Sequence, residues 1–231
     1  MGEVVVGVHG SGVAGARAVT GRLAAQVRRL TGVPVTVGHL DHQAPSLADV
    51  LRARPGAVVV PLLLGDGYHR SVDLPAVAAR YGCPVTRGLS GEPAVARALY
   101  DRLRDAERAA GAPADAVVVA GAGSSRPGGD GGTLAAAEEL RRLLRVPVSV
   151  AYCSASSPGP ADAVARARAD GFRRVAVAAH LLAPGRFSRS LEELGAYAVA
   201  APLADHPAVA RLVADRYEAA VRPEGGSLRV A

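Results

Sequence analysis

Three side chains in the first third of the chain have the types and spacing for metal and proton chemistry: His9, Asp41 and His69. Each follows its own apolar run: "VVVGV" leads to His9, "VTVGHL" to Asp41 and "VVVPLLLGDGY" to His69. Two imidazoles and a carboxylate suit a borderline divalent ion such as Fe²⁺, Co²⁺ or Ni²⁺. Imidazole also exchanges protons near neutrality, because its ordinary pKa is about 6.5. Asp41 has a second reading, as a cap or turn acceptor beside Pro45 and Ser46. His39 and His42 flank it as rim residues. His180, inside an apolar run, and His206, before a proline, read as structural.

These groups meet only if their runs are neighbouring strands of one parallel sheet, where ligands gather outside the carboxyl ends. The grammar of the chain supports this. Short β-branched runs at Val4–Val8, Val35–Val37 and Val58–Leu64, and a weaker one at Pro84–Thr86, alternate with Ala- and Arg-rich segments such as Ala16–Leu30. The latter carry apolar residues at helical spacing. Such alternation predicts an α/β fold with parallel sheets covered on both faces.

The chain then repeats itself. "VVVGVHGSG" returns as "VVVAGAGSS", and "VPVTVGHLDHQAPSLAD" as "VPVSVAYCSASSPGPAD", at a constant spacing of 113 residues (His9 to Ala122, Pro34 to Pro147, Pro45 to Pro158). "VVVPLLLGDGYHRS" returns as "VAVAAHLLAPGRFSRS", and "EPAVARALYDR" as "HPAVARLVADR". Four blocks in the same order are an internal duplication. The expected architecture is two similar doubly wound domains, residues 1–110 and 111–231, divided at the Gly/Pro break "AAGAPA". The second copy is a control for the first. His9 corresponds to Ala122, Asp41 to Ser154 and His69 to Phe187, so the framework persists while all three polar groups vanish. One chemical site, in the first half, is the economical reading.

A competing reading starts from Gly10-Ser11-Gly12-Val13-Ala14-Gly15, which matches the G-x-G-x-x-G dinucleotide fingerprint, with Asp41 placed to meet a ribose. That fingerprint gives His9 and His69 no task, and its copy at Gly121–Arg126 lacks the third glycine.

Composition narrows the setting. The 231 residues are 49% apolar and 21% charged, with a formal charge of +6. All 27 basic residues are Arg, a codon-bias signature, and they are dispersed rather than clustered. The positive charge first suggests nucleic acid, but with few aromatics for stacking, small anions such as carboxylates fit at least as well. Cys83 and Cys153 lack C-x-x-C partners and read as reduced thiols of a cytoplasmic protein. The longest apolar run, Ala57–Leu64, is too short for a membrane span.

At this level the sequence resembles the sirohydrochlorin chelatases, the class II chelatases of cobalamin and sirohaem synthesis, in their long duplicated form. The carriers are "VHGS", "LDHQAPSLADVL", "VVVPLLLGDGYHRSVDLP" and "GEPAVARAL". The resemblance implies that the two domains face each other across an active-site cleft, and that the chain is a lyase-class enzyme that inserts a divalent metal into sirohydrochlorin. Iron is preferred slightly over cobalt, on a general expectation for high-GC bacteria rather than on any residue. No cofactor is implied beyond that substrate metal, and no nucleic-acid or membrane partner; a duplicated chain can build its cleft as a monomer. His9 and His69 match the two active-site histidines, and Asp41 falls where an acidic residue, often Glu, assists the metal. Gly12-Val13-Ala14 stands where the family usually has Arg-Asp-Pro after "HGS". This departure is the feature that would suit a non-catalytic metal or tetrapyrrole carrier. For the substrate carboxylates, the loops offer Arg70, Arg126, Arg186 and Arg189, and the helix starts offer the backbone N–H groups of Gly10, Ser11, Ser124 and Ser125.

Overall fold

The computed structural model describes residues 2–13, 15–41, 43–65 and 74–222. His42, His69 and Arg70 of the sequence reading lie outside them. The first half runs β1 (Val4–Val8), α1 (Ala16–Thr31), β2 (Val35–His39), α2 (Leu47–Arg52), β3 (Val58–Pro61), α3 (Leu74–Ala79) and α4 (Pro93–Ala110). The second runs β4 (Ala116–Gly121), α5 (Gly131–Leu143), β5 (Val148–Tyr152), α6 (Pro160–Ala169), β6 (Val175–His180), α7 (Arg186–Glu192), β7 (Ala198–Val199) and α8 (Pro207–Val221).

Each half builds an all-parallel sheet, ordered β2-β1-β3 and β5-β4-β6-β7. The valine runs are buried on both faces, as a helix-covered parallel sheet demands. Registers repeat with the sequence: Val4 pairs with Val35 and Val58, while Val117 pairs with Val148 and Ala176. The 84–86 run contributes one bridge, Val59 to Val85. In α1, Val19, Leu23 and Val27 recur every four residues and form the buried stripe, which ends at Gly32 in the left-handed region.

The outer face of each sheet has a private core. Val5 and Val59 pack with Leu47 and Leu51 of α2 and Leu74 of α3. Val118 and Val177 pack with Val164 of α6 and Leu191 of α7. The inner faces share one core instead, in which Val4, Val6 and Val60 join Val117, Val119 and Ala178 through Leu99, Leu103, Leu140 and Val213. The last helix of each half crosses over to reach it: α4 packs on β6 and β7, whereas α8 packs on α1 and β3. Polar contacts pin this exchange. Asp205, ahead of α8, accepts from Arg22 Nε of α1 at 2.9 Å and from Arg102 of α4 at 2.6 Å. Gln26 donates to the Asp205 carbonyl at 2.8 Å, and Arg216 of α8 pairs with Glu92 before α4.

Candidate functional site

The carboxyl ends of both sheets open into one cavity of about 670 Å³. Its wall is drawn from the ends of β1, β3, β4 and β6, and includes His9, Ser11, Gln43, Asp130, His180 and Arg186. Within each sheet the parallel topology gathers the strand ends on one edge, and the core that the two inner faces share sets the two edges side by side.

His9 is the first residue beyond β1, exposed on the cavity rim. Its carbonyl accepts from the Asp41 N–H at 2.8 Å, which ties the β1 and β2 loops together. Gly10 makes that approach possible. At φ 100° it adopts a conformation L side chains avoid, and a Cβ there would stand 2.0 Å from the Asp41 carbonyl oxygen. Gly123 repeats the arrangement in the second half, at φ 89° and 1.7 Å from the Ser154 oxygen. The glycine that opens the fingerprint is therefore explained by loop packing that recurs where no third glycine follows. Asp41 itself is exposed and stands outside the cavity wall. In its place Gln43 lines the cavity, accepting from the Ser11 N–H at 3.4 Å.

Ser11 does more than present its N–H. Its hydroxyl donates to the Pro184 carbonyl at 2.9 Å, a bond that crosses from one half to the other at the cavity mouth. On the opposite wall, Ser124 lines the cavity and its hydroxyl accepts from the Arg126 N–H at 3.1 Å. Ser124 and Ser125 stand a loop ahead of α5, which starts only at Gly131, so they do not sit at a helix start. Arg186 lines the cavity, its guanidinium carbon 5.4 Å from the centre of the Phe187 ring. Ser125, Arg126 and Arg189 are exposed and stand outside the wall. Among the described residues no three His, Cys, Asp or Glu side chains gather as a metal cluster; His69 falls outside that set.

The second half, stripped of the three matched polar groups, has its own. Ser156 donates to Asp130 at 2.6 Å, and Asp130 faces the cavity from the turn before α5. His180, which reads from sequence as a structural residue, is the last residue of β6 and part of the cavity wall. Its Nδ1 shares a hydrogen bond with the Thr133 hydroxyl at 3.1 Å, and burial pushes its pKa down to about 4. The sequence signal was its place at a strand's carboxyl end, which the surrounding apolar run hid. Elsewhere, both cysteines are free, and burial pushes the Cys153 thiol up to about 11, which makes it a poor nucleophile. No helix among the described residues is long and apolar enough to cross a membrane.

The CbiX family model matches residues 3–106 and again 116–220. No curated protein matches in sequence. Among solved structures, SirB from Bacillus subtilis with Fe³⁺ is 24% identical, with a TM-score of 0.73 over 94% of this chain and 95% of that one. The sirohydrochlorin chelatase SirB from Bacillus subtilis subspecies spizizenii, in complex with cobalt, is 21% identical with a TM-score of 0.71, over 94% of each chain. CbiX, the terminal enzyme for biosynthesis of siroheme in denitrifying bacteria, is 18% identical with a TM-score of 0.72, over 96% of this chain and all of that one.

Proposed function

The chain belongs to the CbiX family, and from that premise we propose that it is a sirohydrochlorin chelatase, which inserts Fe²⁺, or less favourably Co²⁺, into the metal-free macrocycle on the way to sirohaem or cobalamin. The observation that carries this reading is the cavity: a single cleft at the carboxyl ends of both sheets, with an imidazole on one wall and a guanidinium on the other.

Insertion exchanges two pyrrole N–H protons for one divalent ion. His9 meets the entering ion with a ring nitrogen and takes up one pyrrole proton as the ion passes to the macrocycle, while the second proton passes to solvent water at the cavity mouth. His69 is the second ligand, and Asp41 is an auxiliary carboxylate at the mouth. A site with so few protein ligands can release its ion, whereas a closed four-ligand site would retain it. Arg186 pairs with a substrate carboxylate in bidentate fashion, and Ser11 and Ser124 supply polar contacts on either side. Arg126 and Arg189, exposed outside the cavity wall, draw in the polyanion, and Arg70 and Ser125 are further candidates for its carboxylates.

The test is an anaerobic absorbance assay of the purified chain with sirohydrochlorin and Fe²⁺ or Co²⁺. Insertion should run well above the spontaneous rate and fall at least 100-fold in His9→Ala, with a further loss in the His9→Ala, His69→Ala double variant. Because His9 is exposed, its removal should leave the melting temperature within about 1 °C. Bound macrocycle without acceleration by either metal would refute catalysis and leave a carrier.

A further inference from the structure

We propose that His180 is a substrate-positioning residue, whose Nε2–H hydrogen bonds a carboxylate of the macrocycle from the wall opposite His9; this rests on the chelatase reading above. His180 is 3% exposed yet forms part of the cavity wall. Thr133, on the first turn of α5, holds Nδ1 at 3.1 Å. In the tautomer in which the Thr133 hydroxyl donates to that nitrogen, the imidazole carries its proton on Nε2. That atom is buried and has no hydrogen-bond partner among the described residues.

An unpaired buried donor is costly and uncommon, and it calls for an explanation. The fold's own duplication shows that the framework does not need it. Leu62 takes the matching position in the first half, since Val4 pairs with Val58 where Val117 pairs with Ala176. The matching threonine there, Thr20, turns its hydroxyl to its own helix instead, donating to the Ala16 and Arg17 carbonyls at 3.2 Å. Gly121 completes the arrangement. A Cβ at that residue would stand 2.4 Å from the Thr133 hydroxyl, so the glycine leaves Thr133 room beside the imidazole. A donor fixed at one end, held neutral by burial and set in a cavity wall is a hydrogen bond reserved for the ligand. In so dry a position the bond is electrostatically strong.

The experiment titrates metal-free sirohydrochlorin into the wild-type chain, His180→Leu, His180→Gln and Thr133→Val, following absorbance, and measures insertion kinetics and melting temperature on the same preparations. Leucine copies the first half of the fold, while glutamine puts an amide N–H near the position of Nε2. In His180→Leu the affinity should fall about tenfold and KM should rise accordingly, with kcat within about twofold and the melting temperature at or above that of the wild type. His180→Gln should bind within about threefold of wild type, and Thr133→Val should fall between. Wild-type affinity in His180→Leu would overturn the assignment and leave an orphan nitrogen. So would equal losses in the leucine and glutamine variants with lowered melting temperatures, which mark a structural residue. A wild-type chain that takes up no sirohydrochlorin would overturn the chelatase reading itself, and this assignment with it.

Discussion

Lowering the pH from 7 to 5 should remove about 2 kcal/mol of stability through His180 alone. Burial holds its folded pKa at about 4, whereas in the unfolded chain the ring takes its proton at about 6.5. Between those values the unfolded state binds more protons than the folded one, so stability rises with pH across the window and is lost as pH falls. The whole span, about 2.5 pH units at 1.36 kcal/mol each, is about 3 kcal/mol, of which about 2 falls between pH 7 and pH 5. For a chain of this length that is about 4–8 °C in melting temperature. Burial and the neighbouring Arg102 also lower the pKa of His206, which adds acid sensitivity of the same sign. The clean measurement is therefore a difference. Urea melts of the wild type and His180→Leu at pH 5, 6 and 7 should converge by about 2 kcal/mol on going from pH 5 to pH 7, because His206 contributes equally to both. Parallel curves would refute the reasoning and mean that the buried imidazole has another way to carry its proton.

Four further substitutions test the framework. Gly10→Ala should cost about 1–3 kcal/mol of stability and also depress insertion, since the β1 loop that carries His9 must shift. Gly123→Ala, whose Cβ meets the same obstacle in the half without His9, should cost similar stability with most insertion retained. Asp205→Asn should cost about 1–2 kcal/mol by thermal melting, as Arg102 loses its charged partner in a half-buried site. Ser11→Ala, which removes the hydrogen bond to the Pro184 carbonyl, should lower stability by about 1 kcal/mol and raise KM more than it lowers kcat.

Much of the architecture was legible in the residues. The valine runs and their spacing of 113 specify two parallel sheets in matching register, and Val4–Val8 was read to the residue. The third run ends as a strand at Pro61 rather than Leu64: the Leu62 N–H still donates to the Gly7 carbonyl of β1 at 2.8 Å, and the apolar residues from there on back the shared core and the cavity. The exchange of α4 and α8 was not legible. "PAVARALYDR" and "PAVARLVADR" are nearly the same helix, so either would suit either sheet, and local pattern cannot tell which one it covers. The site divides along the same line. His9 could be placed because a strand's end has a fixed direction, and the pairing of His180 with Thr133 was hidden because it depends on how a helix of the second half settles over its sheet.

The crossed helices also bear on how a macrocycle enters. In many two-lobed proteins a hinge lets the lobes swing apart, because little apolar surface joins them. Here each lobe is roofed by a helix from the other half, and the two sheets share one continuous core. Swinging the lobes apart would expose that core at about 25 cal/mol per Å² of apolar surface. The aperture is therefore set when the chain folds. Adjustment to a large rigid guest is left to the rim, where the hydroxyl of Ser11 reaches across to the Pro184 carbonyl. A chain cut within residues 111–115 would keep its two pieces together, each still held by the helix that the other supplies.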